Sequence, residues 1–309
     1  MSAQPIDGRA CAEALAAGLA ADVRRLGEAG HRPTLAVVSA GEAHGATVYA
    51  RRLARLADEL GIGHVARALP VTVTLPEVLA VLAELNADTA VSGILVLRPL
   101  PAHLDEATVF RALDPAKDVE AVHPENAGLL ALGVPRFVPS TPGAVFHLLD
   151  TWLDAVGEDR AAFYHRSRIV VVGRSNTVGK PAVALGYARE ASVQSIDVWA
   201  HRHGGLGRHT RWADVLVVAA GRPGLIRAEH VSPGAVVVDV GINAVVGPGG
   251  RTRTVGDVDA ASVAARARAL TPVPGGVGPV TDAWLLRSTV QAAAQQVGSP
   301  PERTLLEAS

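Results

Sequence analysis

Short runs of aliphatic and β-branched residues alternate along the chain with longer stretches rich in alanine and leucine. Such alternation predicts an α/β fold, a parallel sheet with helices on both faces. PTLAVVSAG (Pro33 to Gly41) reads as a buried strand. TVYARRLARLADELGI (Thr47 to Ile62) reads as the helix after it, with Val48, Leu53, Leu56 and Leu60 near the helical period. LPEVLAVLAELNAD (Leu75 to Asp88) gives a second helix, and VSGILVLRPLP (Val91 to Pro101) a second strand running into a proline-bounded loop. Past PSTPG (Pro139 to Gly143) the chain becomes the helical GAVFHLLDTWLDAV and then RIVVVG, where a second set of strand–helix units opens. The joint between two domains therefore falls near Thr141. ADVLVVAAG (Ala213 to Gly221), AVVVDVGIN (Ala235 to Asn243) and SIDVWA (Ser195 to Ala200) supply further strands of the second sheet. No internal repeat of fixed period is present, and the closing GSPPERTLLEAS has the composition of a disordered tail.

Composition narrows the partners more than the fold. At 309 residues the chain suits two domains of about 150 residues each, and 49% hydrophobic content supplies a core for both. The 29 basic and 30 acidic side chains nearly cancel, so no global field draws the protein to nucleic acid or an anionic membrane. A small neutral or anionic ligand fits better. Cys11 is the sole cysteine, which excludes an intrachain disulfide framework and a cysteine-based metal cluster and suits a reducing cytoplasm. The N-terminal MSAQPIDGRA lacks an apolar export segment, and every apolar run is cut well short of the roughly 18 residues of a membrane span. The 11 histidines form no H-x-x-x-H or H-E-x-x-H pattern, and no metal is expected.

Candidate chemistry begins at VVGRSNTVGKP, Val171 to Pro181. A strand by composition gives way to a glycine-bearing turn and then to a helix start, where Pro181 is tolerated because the first turn needs no donor. In such a turn backbone N–H groups and the positive helix end face one spot, and missing β-carbons admit a phosphate. A dinucleotide pyrophosphate is the expected guest. A tight turn that binds nothing is the plain alternative, since G-x-S-x-x-x-G is looser than the full dinucleotide fingerprint.

Further words stand around that turn in a fixed order: VVAAGRPGLI, VVVDVGIN, VGDVD and TPVPGGVGPVT, together with GILV, PLP, KDV, HPEN and the Pro139 to Pro142 element. With the turn they resemble the bifunctional methylenetetrahydrofolate dehydrogenase/cyclohydrolase family over nearly the whole chain, from about Gly8 to Val297. The resemblance implies a two-domain α/β enzyme, usually a homodimer, with a folate-type substrate in a cleft between the domains. Residues 1–143 and 283–309 would form the substrate domain, the last helix returning to it, and 144–282 a Rossmann-like domain for NADP. By the same resemblance Tyr49, Arg52, Glu120, Pro274, Gly275 and Gly276 are substrate-binding candidates. Thr141, Gly173, Arg174, Ser175, Val178, Gly179, Arg202, Ile242 and Thr281 are the cofactor-binding candidates. The implied chemistry is hydride transfer from methylenetetrahydrofolate to the nicotinamide, followed by hydrolysis of the methenyl product.

Several positions depart from that family. Tyr49, the catalytic candidate, is present, but the lysine of Y-x-x-x-K is Leu53, and the glutamine expected in GILVLRPLP is Leu97. KDVDG has become KDVEA, with Glu120 and Ala121. Leu53 alone would pass as filling for an apolar helix face. Arg52 stands one step early, and a guanidinium stays protonated and cannot act as a base. Loss or weakening of the cyclohydrolase step is therefore expected. A cleft turned to another one-carbon or imine-like substrate, and a non-catalytic nucleotide-binding protein, are the alternatives. Arg174 and the His201–Arg202 pair stand where the family meets the adenosine ribose. With no acidic residue closing the SIDVWA strand, NADP is expected over NAD.

Overall fold

Two parallel sheets carry the fold of the computed structural model, which describes residues 2–41, 44–247 and 250–298. In chain order the strands are β1 (Gln4–Pro5), β2 (Thr34–Ala40), β3 (Gly63–Leu69), β4 (Gly93–Val96), β5 (Arg168–Val172) and β6 (Ser192–Ile196). They continue with β7 (Val215–Val218), β8 (Val236–Asp239), β9 (Asn243–Val246), β10 (Thr252–Val255) and β11 (Ala269–Leu270). The chain divides into two compact units, one of residues 2–13 and 141–281, the other of residues 14–140 and 282–298. The points of passage fall within the helices Gly8–Glu28, Ser140–Ala155 and Val277–Gln296.

The smaller sheet has the order β3-β2-β4, all parallel. A central parallel strand is covered on both faces, so its alternate residues enter different cores. Leu35 and Val37 join Leu95, Leu97 and Leu53 in one cluster, whereas Ala36, Val38 and Ala40 join Ile94, Val96, Leu82 and Leu85 in the other. Leu285, Leu286 and Val290 of the Val277–Gln296 helix belong to the first cluster, so most of the last helix packs in this unit.

The larger sheet has the order β1-β11-β8-β7-β5-β6, again all parallel. The chain leaves β5 for β6 on one side and comes back to β7 on the other. That reversal is the topological switch point at which open α/β sheets take ligands. β9 and β10 form a separate antiparallel hairpin.

Several expectations need correction. Residues 2–13 do not go with the rest of 1–143: Gln4 pairs with Ala269, and the Ile6 amide donates to the Leu270 carbonyl at 3.0 Å, extending the larger sheet. A two-residue strand has no periodicity to reveal it. The larger unit begins at 141 and its main segment ends at 281, against the expected 144 and 282. SIDVWA is not a strand throughout, because β6 stops at Ile196 and Asp197 caps a short helix, Val198–Arg202, accepting the Trp199 amide at 3.0 Å. β3, β11 and the β9–β10 hairpin were not anticipated. The tail expected beyond Gly298 lies outside the described residues. No helix among the described residues is long and apolar enough to cross a membrane.

Candidate functional site

The turn between β5 and the Gly179–Tyr187 helix sits at the carboxyl end of β5, beside the switch point. Gly173 has φ +128°, and a Cβ there would overlap the Ala219 carbonyl oxygen. A Cβ on Gly179 would overlap the Gly173 carbonyl in the same way. Both positions admit only glycine, for close approach of strand, turn and helix. Ser175 Oγ accepts the Val178 amide at 3.1 Å and the Gly179 amide at 3.3 Å, so its own O–H proton is left to donate. Ser175 is exposed and Val178 half-buried.

Arg174 reaches from this turn to the end of β6. Its Nε donates to Ser195 Oγ at 3.1 Å, one Nη to the Ser195 carbonyl at 2.8 Å and the other to Asp197 Oδ2 at 3.2 Å. These groups open onto a pocket of ≈ 380 Å³ that Trp199, His203, Arg208 and His209 also line. Asp197 is the acid that the sequence reading left out at the end of this strand. Arg202 is not part of the wall; its guanidinium lies 5.0 Å from the Trp199 ring centroid.

Two buried carboxylates shape the loops beyond. Asp257 accepts the amides of Ala220, Gly221 and Arg222 at 2.6 to 2.8 Å and the Asn243 side chain at 2.8 Å. Asp239 accepts the amides of Gly241, Asp257 and Val258, and burial pushes its carboxyl up to about 6. VGIN and GDVD are thus one clamp on the loops following β7 and β8. Ile242, held within it, is 69% exposed and free to meet a ligand. The PVPGG loop is fixed by backbone packing: a Cβ on Gly276 would stand 2.6 Å from the Pro272 carbonyl oxygen, and the Gly8 amide donates to Gly275 at 3.0 Å. Pro274 is exposed and Gly276 buried. Thr141 is half-buried in the first turn of its helix, and Thr281 Oγ1 donates to the Val277 carbonyl at 3.0 Å.

The remaining candidates lie in the smaller unit, on the His44–Glu59 helix and after β4. Arg52, one turn from Tyr49, grips Asp282 with two bonds of 2.8 and 2.9 Å and lies 5.4 Å from the Tyr49 ring centroid. Burial, reinforced by the nearby Asp282 and Glu120 carboxylates, holds the Tyr49 phenol far above its ordinary value. Burial also lifts Asp282, with Arg52 opposing. Glu120 is pushed up to about 7 by burial, although Ser140 donates its amide at 3.2 Å. KDV and HPEN form the frame that presents Glu120. Lys117 caps the Leu75–Ala87 helix through the carbonyls of Leu85, Asn86 and Asp88, and Asp118 accepts from Val122, His123 and Asn126. Leu53 is fully buried and Leu97 6% exposed, both in the apolar cluster against which Tyr49 packs.

Residues 6–120 match the tetrahydrofolate dehydrogenase/cyclohydrolase catalytic domain, and residues 139–297 the NAD(P)-binding domain of the same enzymes. The chain belongs to the tetrahydrofolate dehydrogenase/cyclohydrolase family. It is 56% identical over 311 residues to Bifunctional protein FolD 3 of Rubrobacter xylanophilus, covering 100% of this chain and 98% of that one. Bifunctional protein FolD 2 of Ectopseudomonas mendocina is 43% identical, over 96% and 94% of the two chains. Among solved structures, the Campylobacter jejuni FolD methylenetetrahydrofolate dehydrogenase/cyclohydrolase superposes with TM-score 0.87 at 35% identity, over 95% of this chain and 99% of that one. The Trypanosoma brucei enzyme, solved with NADP cofactor and an inhibitor, gives 0.88 at 33% identity, over 96% and 99%.

Family membership accounts for the dinucleotide turn, and the residues present fit such a guest. Close packing at Gly173 and Gly179 leaves no side chain over the helix start, and the Ser175 hydroxyl and Arg174 lie beside it. Sequence reasoning missed Asp282, Asp197 and Gly8. Asp282 gives no local signal, because it acts through an arginine distant in the chain, whereas Asp197 stands in SIDVWA itself and was passed over because the strand was drawn on to Ala200 when it ends at Ile196.

Proposed function

We propose that the protein is an NADP-dependent 5,10-methylenetetrahydrofolate dehydrogenase whose cyclohydrolase half is lost or weak. One observation carries this reading. Leu53 and Leu97, at the two positions where the family has its lysine and its amide, pack into one apolar core, while the dinucleotide turn keeps both of its obligatory glycines.

NADP, when bound, supplies the hydride acceptor. Gly173, Gly179 and Ser175 would hold its pyrophosphate, and Arg174 its adenosine ribose. Thr141, Val178, Ile242 and Thr281 complete the cofactor set. Pro274, Gly275 and Gly276, in a loop held rigid by its own backbone, would wall the reacting rings from water. On the folate side Tyr49 stays protonated and donates, Arg52 is anchored by Asp282, and Glu120 accepts from the pterin when ionised. The hydrolytic step requires a group to manage the proton of an attacking water. Two leucines offer none. The same reading makes the protein a cytoplasmic homodimer.

Purified protein given methylenetetrahydrofolate and NADP should form reduced cofactor and methenyl product in equal amounts, with the methenyl species then decaying no faster than in buffer. Absence of reduced cofactor would sink the dehydrogenase, and enzymic decay would sink the loss of hydrolysis. A second reading rests on Glu120: a carboxyl pushed up to about 7 can take and return a proton near neutrality. Under it hydrolysis survives, its rate rises through pH 7, and Glu120→Gln abolishes it.

A further inference from the structure

The end of β6 holds two opposed signals. Arg174, with its guanidinium toward the ≈ 380 Å³ pocket, suits a ribose 2′-phosphate, whereas a carboxylate directly after the second strand of such a sheet suits a free ribose 2′-hydroxyl. Asp197 is that carboxylate, 24 residues after Gly173 in the chain and bonded to Arg174 at 3.2 Å.

We propose that Asp197 sets the choice between the two nicotinamide dinucleotides: it competes with a 2′-phosphate for Arg174 and accepts the 2′-hydroxyl of NAD, so that NAD is admitted alongside NADP. The inference rests on the dinucleotide reading above and adds a specificity residue to it. Three of the five Arg174 N–H groups are already used, so a phosphate meets the guanidinium beside the Asp197 carboxylate or takes its place. The pair is weak enough for that, with side chains 51% and 31% exposed. Once displaced, the carboxylate still lines the pocket and repels the dianion, a cost that NAD does not meet. Arg208, which also lines the pocket, draws phosphate in, so NADP is retained and Asp197 tempers the preference. Ser195 holds Arg174 from the opposite side, through its hydroxyl and its carbonyl, and keeps the guanidinium at the strand end when Asp197 lets go.

The test is binding rather than turnover. Dissociation constants for NADP, NAD and the fragments 2′,5′-ADP and 5′-AMP would be measured by calorimetry on the unaltered protein, Asp197→Asn and Arg174→Ala. Asparagine keeps an oxygen for the Trp199 amide, so the short helix remains capped while the charge is gone. Asp197→Asn should tighten NADP and 2′,5′-ADP and weaken NAD, moving the NADP-to-NAD ratio at least tenfold. Arg174→Ala should bring NADP down toward NAD. Parallel shifts of both dinucleotides in Asp197→Asn, or an unchanged ratio, would overturn the proposal. If no dinucleotide or fragment binds the unaltered protein, the nucleotide reading itself fails and takes this inference with it.

Discussion

Leu53→Lys tests whether the smaller unit is closed to a cation. Leu53 has no exposed surface and packs in one cluster with Leu97 and, at its edge, Tyr49. A lysine stem can refill most of that space, so lost packing is a minor part of the cost. The amine decides the outcome. Charged and unpaired, it costs about 3–5 kcal/mol. Neutral, it costs about 4.6 kcal/mol at pH 7, the free energy of stripping a proton from a group of ordinary pKa about 10.4. The second figure is a ceiling on the first, so the variant should lose about 3–4.6 kcal/mol at pH 7, much of an ordinary domain's stability. The sign of its pH dependence follows. The lysine's folded pKa is depressed, so the unfolded chain binds more protons, and the variant regains stability by up to about 1.4 kcal/mol per pH unit on the way to about 10.4. Urea denaturation of parent and variant from pH 7 to about 9.5 reads both effects. Adding Leu97→Gln should recover on the order of 1 kcal/mol by giving the amine an acceptor, and methenyltetrahydrofolate hydrolysis should exceed the buffer rate only in the double variant. A single variant as stable as the parent, with no added pH dependence, would show that the amine reaches water or Glu120, and the argument from closure would be wrong.

Gly173→Val should abolish dinucleotide binding, because its φ of +128° and the adjacent Ala219 carbonyl exclude a side chain; near-normal NADP titration would refute this. Ser175→Ala removes the acceptor for two amides at the start of the Gly179–Tyr187 helix, so it should cost about 1 kcal/mol in thermal unfolding and weaken NADP several-fold; unchanged values for both would deny Ser175 either role. Glu120 has a folded pKa of about 7, above the roughly 4.3 of an unfolded chain, so its contribution is intact below about 4.3 and lost as pH rises through 7. Glu120→Gln should therefore gain stability relative to the parent across that window, on the order of 2–3 kcal/mol at its upper end, and parallel stability curves would rule out a buried, ionising Glu120.

The two-domain α/β order, the helix carrying Tyr49 and the dinucleotide turn were all legible in the sequence, for one physical reason. Each is written by neighbours in the chain: helical and strand periods span a few residues, and a glycine needed for close approach stands within the turn it serves. The β-branched runs at Val170 to Val172 and Val236 to Val238 announced central strands because burial on both faces demands continuous apolar sequence. Where pairing is long-range, the same reading failed. β1 is two residues that become a strand only because Ala269 and Leu270 present an open edge, and nothing in MSAQPIDGRA records that edge. Asp282 matters through Arg52, 230 positions away, and Asp197 through Arg174 across a helix and a strand. Leu53 is the instructive case. Its helical position was readable, and the family pattern marked it as a missing lysine, but only tertiary packing showed a closed apolar space shared with Leu97. A carboxyl lifted by burial, like that of Glu120, is likewise a property of surroundings. Local sequence sets what a segment can form and which groups it carries, while desolvation and ion pairing depend on what the rest of the chain brings within a few ångströms.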